Sequence, residues 1–224
     1  MNTQSSNTKV AIIGLGNIGK AVATNLTKGN HQVIVASREL NKAQEFASSL
    51  GNNATAEEIT TAIKNADVVI PAIYFDKIKD FLKTYVNELA GKVIVDVSNP
   101  IAPDGNGGFK KIIDQDLSAG KVLNELTPAT AVLVKAFGTL GAASLLKGAF
   151  ATPERKVLFY ASDSTKNNNK IEELIIASGF TPFHVGGIEQ SIRIEVFGEL
   201  HEFGALGKTV TLEEAKGAVN QHAI

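Results

Sequence analysis

Three glycines, Gly14, Gly16 and Gly19, stand in the spacing Gly-x-Gly-x-x-Gly. They follow a short apolar run, Val10 to Ile13, and open a segment from Ile18 to Lys28 that carries Ile18, Val22 and Leu26 at i, i+4 spacing. A buried strand passing through a glycine turn into an amphipathic helix gives each glycine a task. Gly14 permits the tight turn. Gly16 has no side chain to block a ligand, and Gly19 lets the helix lie close on the strand. Free N–H groups and the positive end of the helix dipole then favour a phosphate, and the pattern predicts a dinucleotide pyrophosphate there.

The end of the second strand discriminates between dinucleotides. A site that accepts the free ribose 2′-hydroxyl places Asp or Glu at that point. Here the residues are Ala36-Ser37-Arg38-Glu39. The Ser37 hydroxyl can donate to a 2′-phosphate, Arg38 can grip it with two N–H groups, and Lys42, one helical turn on, adds a point charge. This selects NADP(H). Glu39 competes: pointed at the ribose, it would restore a preference for NAD.

Candidates for acid–base or nucleophilic work are few, which suits hydride transfer, where the cofactor carries the chemistry and the protein positions it. The chain has no cysteine and four histidines. His31 precedes a strand and reads as a surface residue. His184 ends a strand and reads as structural before catalytic. Glu195, Glu199 and Glu202 recur at helical spacing beside His201; a solvated helix face is the expected reading, and no metal site is expected.

Apolar runs of strand length surround these residues: Lys9–Gly14, Gln32–Ala36, Asp67–Ile73, Lys92–Val97, Val132–Phe137, Val157–Tyr160 and a weaker Thr181–Val185. Continuous apolar runs indicate strands buried on both faces. Helical patterns lie between them at Asn41–Ser49, Thr55–Lys64, Lys77–Leu89, Leu140–Lys147 and Thr165–Ser178, followed by a long segment, Gly187–Leu206. The alternation predicts an α/β fold, a Rossmann-type doubly wound, mostly parallel sheet with a short helical C-terminal appendix. The organisation expected is a disordered tail over residues 1–8, a nucleotide-binding domain over 9–186 and a helical segment, 187–224, packed on the same domain. Asn99–Gly120, rich in proline and glycine, is the main irregular stretch and begins where open α/β sheets bind ligands.

Bulk properties exclude other classes. A net charge of -1 over 224 residues leaves no electrostatic footprint for nucleic acid or an anionic membrane. No apolar stretch reaches the roughly 18 residues of a membrane span. The polar N-terminus is unlike a signal peptide, so a cytoplasmic protein is expected.

The combination Gly14-Leu15-Gly16-Asn17-Ile18-Gly19, Ala36-Ser37-Arg38, Val95-Asp96-Val97-Ser98-Asn99-Pro100 and Val134-Lys135-Ala136-Phe137 resembles the NADP oxidoreductase, coenzyme F420-dependent family. It is also similar to the reductase domains of STEAP-type metalloreductases. The resemblance extends from Lys9 to about Gly187. It implies that Gly16, Asn17, Ile18 and Gly19 hold the pyrophosphate, and that Ser37 and Arg38, with Lys42, hold the 2′-phosphate. It further implies that Ala72 and Ile73 line the ribose side, that Ser98, Asn99 and Pro100 approach the nicotinamide, and that Ala136 and Phe137 lie beside its amide. Pro71 independently marks the cofactor end of its strand, because proline removes a ladder donor.

The leading expectation is an NADPH-dependent oxidoreductase that passes hydride to a flavin-like small-molecule acceptor (F420, FMN or FAD). The alternative is an NADP(H)-binding redox sensor or regulatory module. Reductases of small imines, such as pyrroline-carboxylate reductases, share the N-terminal motif but need a long helical domain for which too few residues follow Gly187. An apolar stripe of Ile188, Ile192, Val196, Leu200 and Phe203, with Phe197 beside it, leaves core packing, an acceptor-pocket lid and a homodimer seam open.

Overall fold

The computed structural model describes residues 8–221. The tail expected over residues 1–8 therefore lies, except for Thr8, outside the described residues. In chain order the elements are β1 (Val10–Ile13), α1 (Asn17–Lys28), β2 (Val33–Ala36), α2 (Leu40–Leu50), β3 (Ala54–Ala56), α3 (Ile59–Asn65), β4 (Val68–Pro71), α4 (Phe75–Thr84), α5 (Val86–Leu89) and β5 (Val93–Asp96). Then follow β6 (Ile101–Pro103), β7 (Phe109–Lys111), α6 (Ala119–Asn124), β8 (Val132–Lys135), α7 (Ala142–Gly148), β9 (Val157–Ser162), α8 (Thr165–Ala177), β10 (Thr181–His184), α9 (Ser191–Ile194) and α10 (Leu212–Gln221).

Eight strands form one sheet in the order β10-β9-β8-β5-β4-β1-β2-β3. From β8 to β3 all neighbours are parallel. β9 runs antiparallel to β8, and β10 is parallel to β9. This is the Rossmann-type, mostly parallel fold that the alternation of patterns predicts. An apolar run reads alike in either direction, so the reversal of the last two strands leaves no mark in the sequence.

Each core strand divides its side chains between two helical layers, as its period of two requires. Val10 and Ile12 of β1 join a cluster with Val22 and Leu26 of α1, Leu145 of α7 and Leu174 of α8. Ala11 and Ile13 join the opposite cluster with Ile63 of α3, Ile78 and Leu82 of α4 and Leu123 of α6. Each of these side chains is at most 2 % exposed, and burying one contributes on the order of 1.5–3 kcal/mol for the larger aliphatics. A third cluster places Leu200, Val210 and Ala215 against Val157 and Phe159 of β9.

The structure departs from the sequence expectations in several places. The helix expected over Thr55–Lys64 gives its first residues to the edge strand β3. The Lys77–Leu89 helix breaks at Tyr85, whose φ of -108° and ψ of 26° separate α4 from α5. The irregular stretch after Asn99 contains the antiparallel hairpin β6–β7 and ends in α6.

The largest correction concerns Gly187–Leu206, which is not one helix. A 3-10 turn at Ile188–Gln190 and the single turn of α9 are all that form. Glu195 is extended, Phe197 has a φ of 74°, and the chain then folds back so closely that a Cβ on Gly204 would meet the Gly198 carbonyl oxygen at 1.9 Å. The expected stripe is therefore dispersed. Ile188 and Leu200 are buried in different clusters, while Phe197 and Phe203 remain 50 % and 60 % exposed.

Candidate functional site

The carboxyl ends of β1, β2, β4, β5 and β8 lie along one edge of the sheet, and the glycine turn sits at its centre. Gly14 has a φ of +104°, a conformation that side chains rarely adopt, and a Cβ there would meet the Ala72 carbonyl oxygen at 2.6 Å. A Cβ on Gly19 would meet the Gly14 carbonyl oxygen at 2.1 Å. Gly16 differs from both: nothing lies within 4 Å of where its Cβ would be. It is the N-cap of α1 and offers no side chain to accept from the first-turn N–H groups. Exposed Asn17 and half-buried Ile18 follow on the helix. Two glycines thus shape the turn, and the third keeps a helix N-terminus open.

Ala72 donates its N–H to the Ile13 carbonyl at 2.7 Å, which holds Ala72 and Ile73, both half-buried, against the turn just past β4. Beyond them Tyr74 is 83 % exposed on the same edge.

Past β2, the Ser37 hydroxyl donates to the Glu39 carbonyl at 2.7 Å. The Glu39 carboxylate meets Lys42 Nζ at 2.7 Å, both side chains being well exposed. Glu39 is therefore turned along α2 toward Lys42. Arg38 is exposed and, among the described residues, has no hydrogen bond or ion pair. The cation best placed to take an incoming phosphate is Arg38, with the Ser37 hydroxyl able to swing from its neighbour's carbonyl.

The chemistry of the edge changes at β5 and β8. Asp96 and Lys135 are register partners at the ends of these strands and are fully buried. Lys135 Nζ donates to Asp96 Oδ2 at 2.8 Å and to the Ser98 carbonyl, and lies 3.4 Å from Glu195 Oε1. Glu195, 2 % exposed, also accepts from the N–H groups of Ala119 and Gly120 at 2.9 and 3.0 Å. Asp96 Oδ1 accepts from the Ser98 N–H at 2.8 Å. Burial alone would lower the Lys135 pKa; its two carboxylates outweigh that and hold it above the ordinary lysine value.

These bonds fix the segment from Ser98 to Pro100. Asn99 is wholly engaged, its Nδ2 donating to the Gly138 carbonyl and its Oδ1 accepting from the Val196 N–H, both at 2.8 Å. Pro100 is buried. The Ser98 hydroxyl is buried yet has no hydrogen-bond partner among the described residues, and such orphans are rare enough to call for a reason. Ala136 and Phe137 turn their side chains into the core; what they present to the edge is the main chain, with Phe137 at a φ of 60°.

Sequence reasoning brought the glycine turn, Ser37–Arg38 and Ser98–Pro100 to one edge, but missed the buried charges. Asp96 and Lys135 each interrupt an otherwise apolar strand, and that shared interruption was the available signal. Glu195 was expected on a solvated helix face and is instead buried between α6 and β8. Glu202 binds the Gly141 N–H and the Ser144 hydroxyl at 2.5 and 2.6 Å, capping α7.

Two of the histidines, His31 and His201, also differ from expectation. His31 is 5 % exposed, because its ring fills the turn before β2 and reaches the Thr8 carbonyl at 3.0 Å. His201 is fully buried, and burial pushes its pKa down to about 4. His184 is exposed and stacks on Tyr160, with ring centroids 4.8 Å apart. Among the described residues no group of three or more His, Asp or Glu side chains is placed to hold a metal ion, and no helix is long and apolar enough to cross a membrane.

Two features test whether a dinucleotide fits this edge. The space over Gly16 would be filled by any side chain there, and the Ser98 hydroxyl is left with a hydrogen bond to make. Both suit a ligand carrying a diphosphate at β1 and a polar ring substituent near β5.

Comparison with known proteins gives an independent result. Residues 9–100 match the family model described as NADP oxidoreductase, coenzyme F420-dependent. The metalloreductase STEAP3 of Rattus norvegicus is 30 % identical over 187 residues, covering 84 % of this chain and 36 % of that protein. The chain thus spans well under half the length of the curated relatives it matches. The hypothetical protein SMa0349 of Sinorhizobium meliloti has a solved structure that superposes with a TM-score of 0.80 at 30 % identity, over 92 % of this chain and 96 % of the other. A candidate F420-dependent NADP-reductase of Arthrobacter sp. FB24 superposes with a TM-score of 0.71 at 18 % identity, over 83 % and 87 % of the two chains, a likeness of fold.

Proposed function

Because the chain belongs to the NADP oxidoreductase, coenzyme F420-dependent family, we propose that it binds NADP(H) along this edge and exchanges hydride with a flavin-like acceptor such as F420, FMN or FAD. The observation that carries the reading is the open N-terminus of α1 over Gly16 together with the unpaired Arg38 beyond β2. The first suits a diphosphate, and the second suits the extra phosphate that distinguishes NADP(H) from NAD(H).

The residues divide the work along the edge. The main-chain N–H groups of Gly16 to Gly19 bind the diphosphate, and Arg38, Ser37 and Lys42 bind the 2′-phosphate. Ala72 and Ile73 wall the ribose side. The Ser98 hydroxyl orients the nicotinamide carboxamide, with Asn99, Pro100 and the main chain of Ala136 and Phe137 closing that end. When bound, the nicotinamide supplies the hydride; the protein aligns it and excludes water. Relatives described as a metalloreductase and an NADP-reductase support a redox role, and the acceptor proposed is the flat flavin-like ring.

The test follows the nicotinamide absorbance of NADPH mixed with the protein as F420, FMN, FAD and ferric chelates are added in turn. Oxidation accelerated by one flavin-like acceptor is expected. Tight NADPH binding without turnover by any acceptor would make the chain an NADP(H)-binding module instead.

A further inference from the structure

Asp96, Lys135 and Glu195 form a buried group with two carboxylates and one ammonium. Asp96 and Lys135 are 0 % exposed and Glu195 is 2 % exposed. Asp96 accepts from Lys135 Nζ and the Ser98 N–H, so that both of its oxygens face donors. The oxygens of Glu195 face the Ala119 and Gly120 N–H groups and Lys135. All three are donors, so the arrangement matches the carboxylate and gives a carboxyl proton nothing to bond to. His201 is the further titratable group facing the triad, and burial keeps it neutral. Burial pushes the Glu195 pKa up, and Lys135 and the Gly120 and Ala119 N–H groups pull against it; with both carboxylates charged, as their all-donor surroundings favour, the triad carries a net charge of about -1, in a setting where solvent screens it little. The N–H groups at the start of the short α6 offset only part of that charge.

The triad lies at the carboxyl ends of β5 and β8, directly beneath Ser98. Lys135 Nζ donates to the Ser98 carbonyl, and Asp96 holds the Ser98 N–H. We infer that the triad is an electrostatic device that favours the oxidised over the reduced nicotinamide. This rests on the reading of the edge as an NADP(H) groove. The oxidised ring carries one positive charge more than the reduced ring, and all other parts of the two cofactors are alike. A buried negative charge at this end of the groove stabilises only the difference between them, which makes the bound reduced cofactor a better hydride donor. Asp96, Lys135 and Glu195 are thus positioning and tuning residues; none needs to touch the cofactor.

The discriminating measurement is the ratio of dissociation constants for NADP+ and NADPH, taken by calorimetric or fluorescence titration at pH 7.5. In Glu195→Gln the triad is neutral, and NADP+ binding is expected to weaken about tenfold relative to NADPH, as expected for one charge at about 10 Å and an effective dielectric constant of about 20. Tenfold in that ratio is about 30 mV in the two-electron potential of the bound cofactor. Asp96→Asn removes a charge from another element and is expected to shift the ratio the same way, so the test survives if the first variant does not fold. Glu195→Asp keeps the charge and restores the wild-type ratio. Arg38→Ala weakens both forms equally, because the 2′-phosphate is common to them. Folded Glu195→Gln and Asp96→Asn proteins that bind both forms in the wild-type ratio would overturn the inference while leaving the groove intact. Wild-type protein that binds neither form would instead overturn the reading on which it rests.

Discussion

Asp96 and Lys135 face each other as register partners on two parallel strands, and their side chains meet at 2.8 Å with neither exposed to water. A buried pair is not in itself a net gain, since taking two charges out of water costs about as much as their attraction returns. Breaking it is another matter, because the surviving charge has no water to turn to. Lys135→Met leaves Asp96 and Glu195 facing each other without a cation, and a loss of about 3–5 kcal/mol is expected. Urea unfolding with a wild-type midpoint would contradict the assignment of Lys135 as the centre of the network.

Two glycines of the turn, Gly16 and Gly19, predict opposite outcomes. Gly16→Ala puts a methyl group into open space, so the thermal midpoint should move by the equivalent of no more than about 0.5–1 kcal/mol. NADPH binding should nevertheless fall at least tenfold, because that space is the proposed diphosphate site. Gly19→Ala drives a Cβ to 2.1 Å from a carbonyl oxygen and should destabilise the fold outright. Calorimetry on both variants with and without NADPH checks the contrast; a destabilised Gly16→Ala protein would mean that the space over Gly16 is not free.

Acid should weaken the fold through its buried histidines. The His201 pKa is pushed down to about 4 by burial, and that of His31 is also lowered by burial. In the unfolded chain each histidine takes up a proton near pH 6.5. Below that pH the unfolded state binds more protons than the native state, so stability falls as pH falls. The contribution of His201 is fully present above pH 6.5 and is lost down to about pH 4, amounting to roughly 2 kcal/mol by pH 5 and roughly 3 kcal/mol by pH 4. Urea midpoints at pH 7.5 and 5 measure it; equal midpoints would show that the native histidines take up protons freely.

Much of this architecture is legible in the sequence. The continuous apolar runs place the core strands because a strand buried on both faces tolerates little else, and Gly14, Gly16 and Gly19 locate the turn. The proposed phosphate preference rests on the residue types of Ser37 and Arg38. Other features depend on partners distant in sequence. Glu195 reads as a surface residue until Ala119, Gly120 and Lys135, 60 or more positions away, are brought to it. The segment after Gly187 looks helical because Ile188, Ile192, Val196 and Leu200 recur at i, i+4, but Ile188 and Leu200 are buried in different clusters and Ile192 and Val196 are only half-buried. The positive φ of Phe197 and the close contact between Gly198 and Gly204 are set by tertiary packing.

The proposed function has this edge bind NADPH through Arg38. Its most direct test is a titration of wild type and Arg38→Ala with NADPH and with NADH. A charge-assisted bond to phosphate contributes about 1.5–3 kcal/mol. The substitution should therefore weaken NADPH binding about tenfold to a hundredfold and leave NADH binding nearly unchanged. Equal losses for the two cofactors, or wild-type protein that binds NADH as tightly as NADPH, would contradict it.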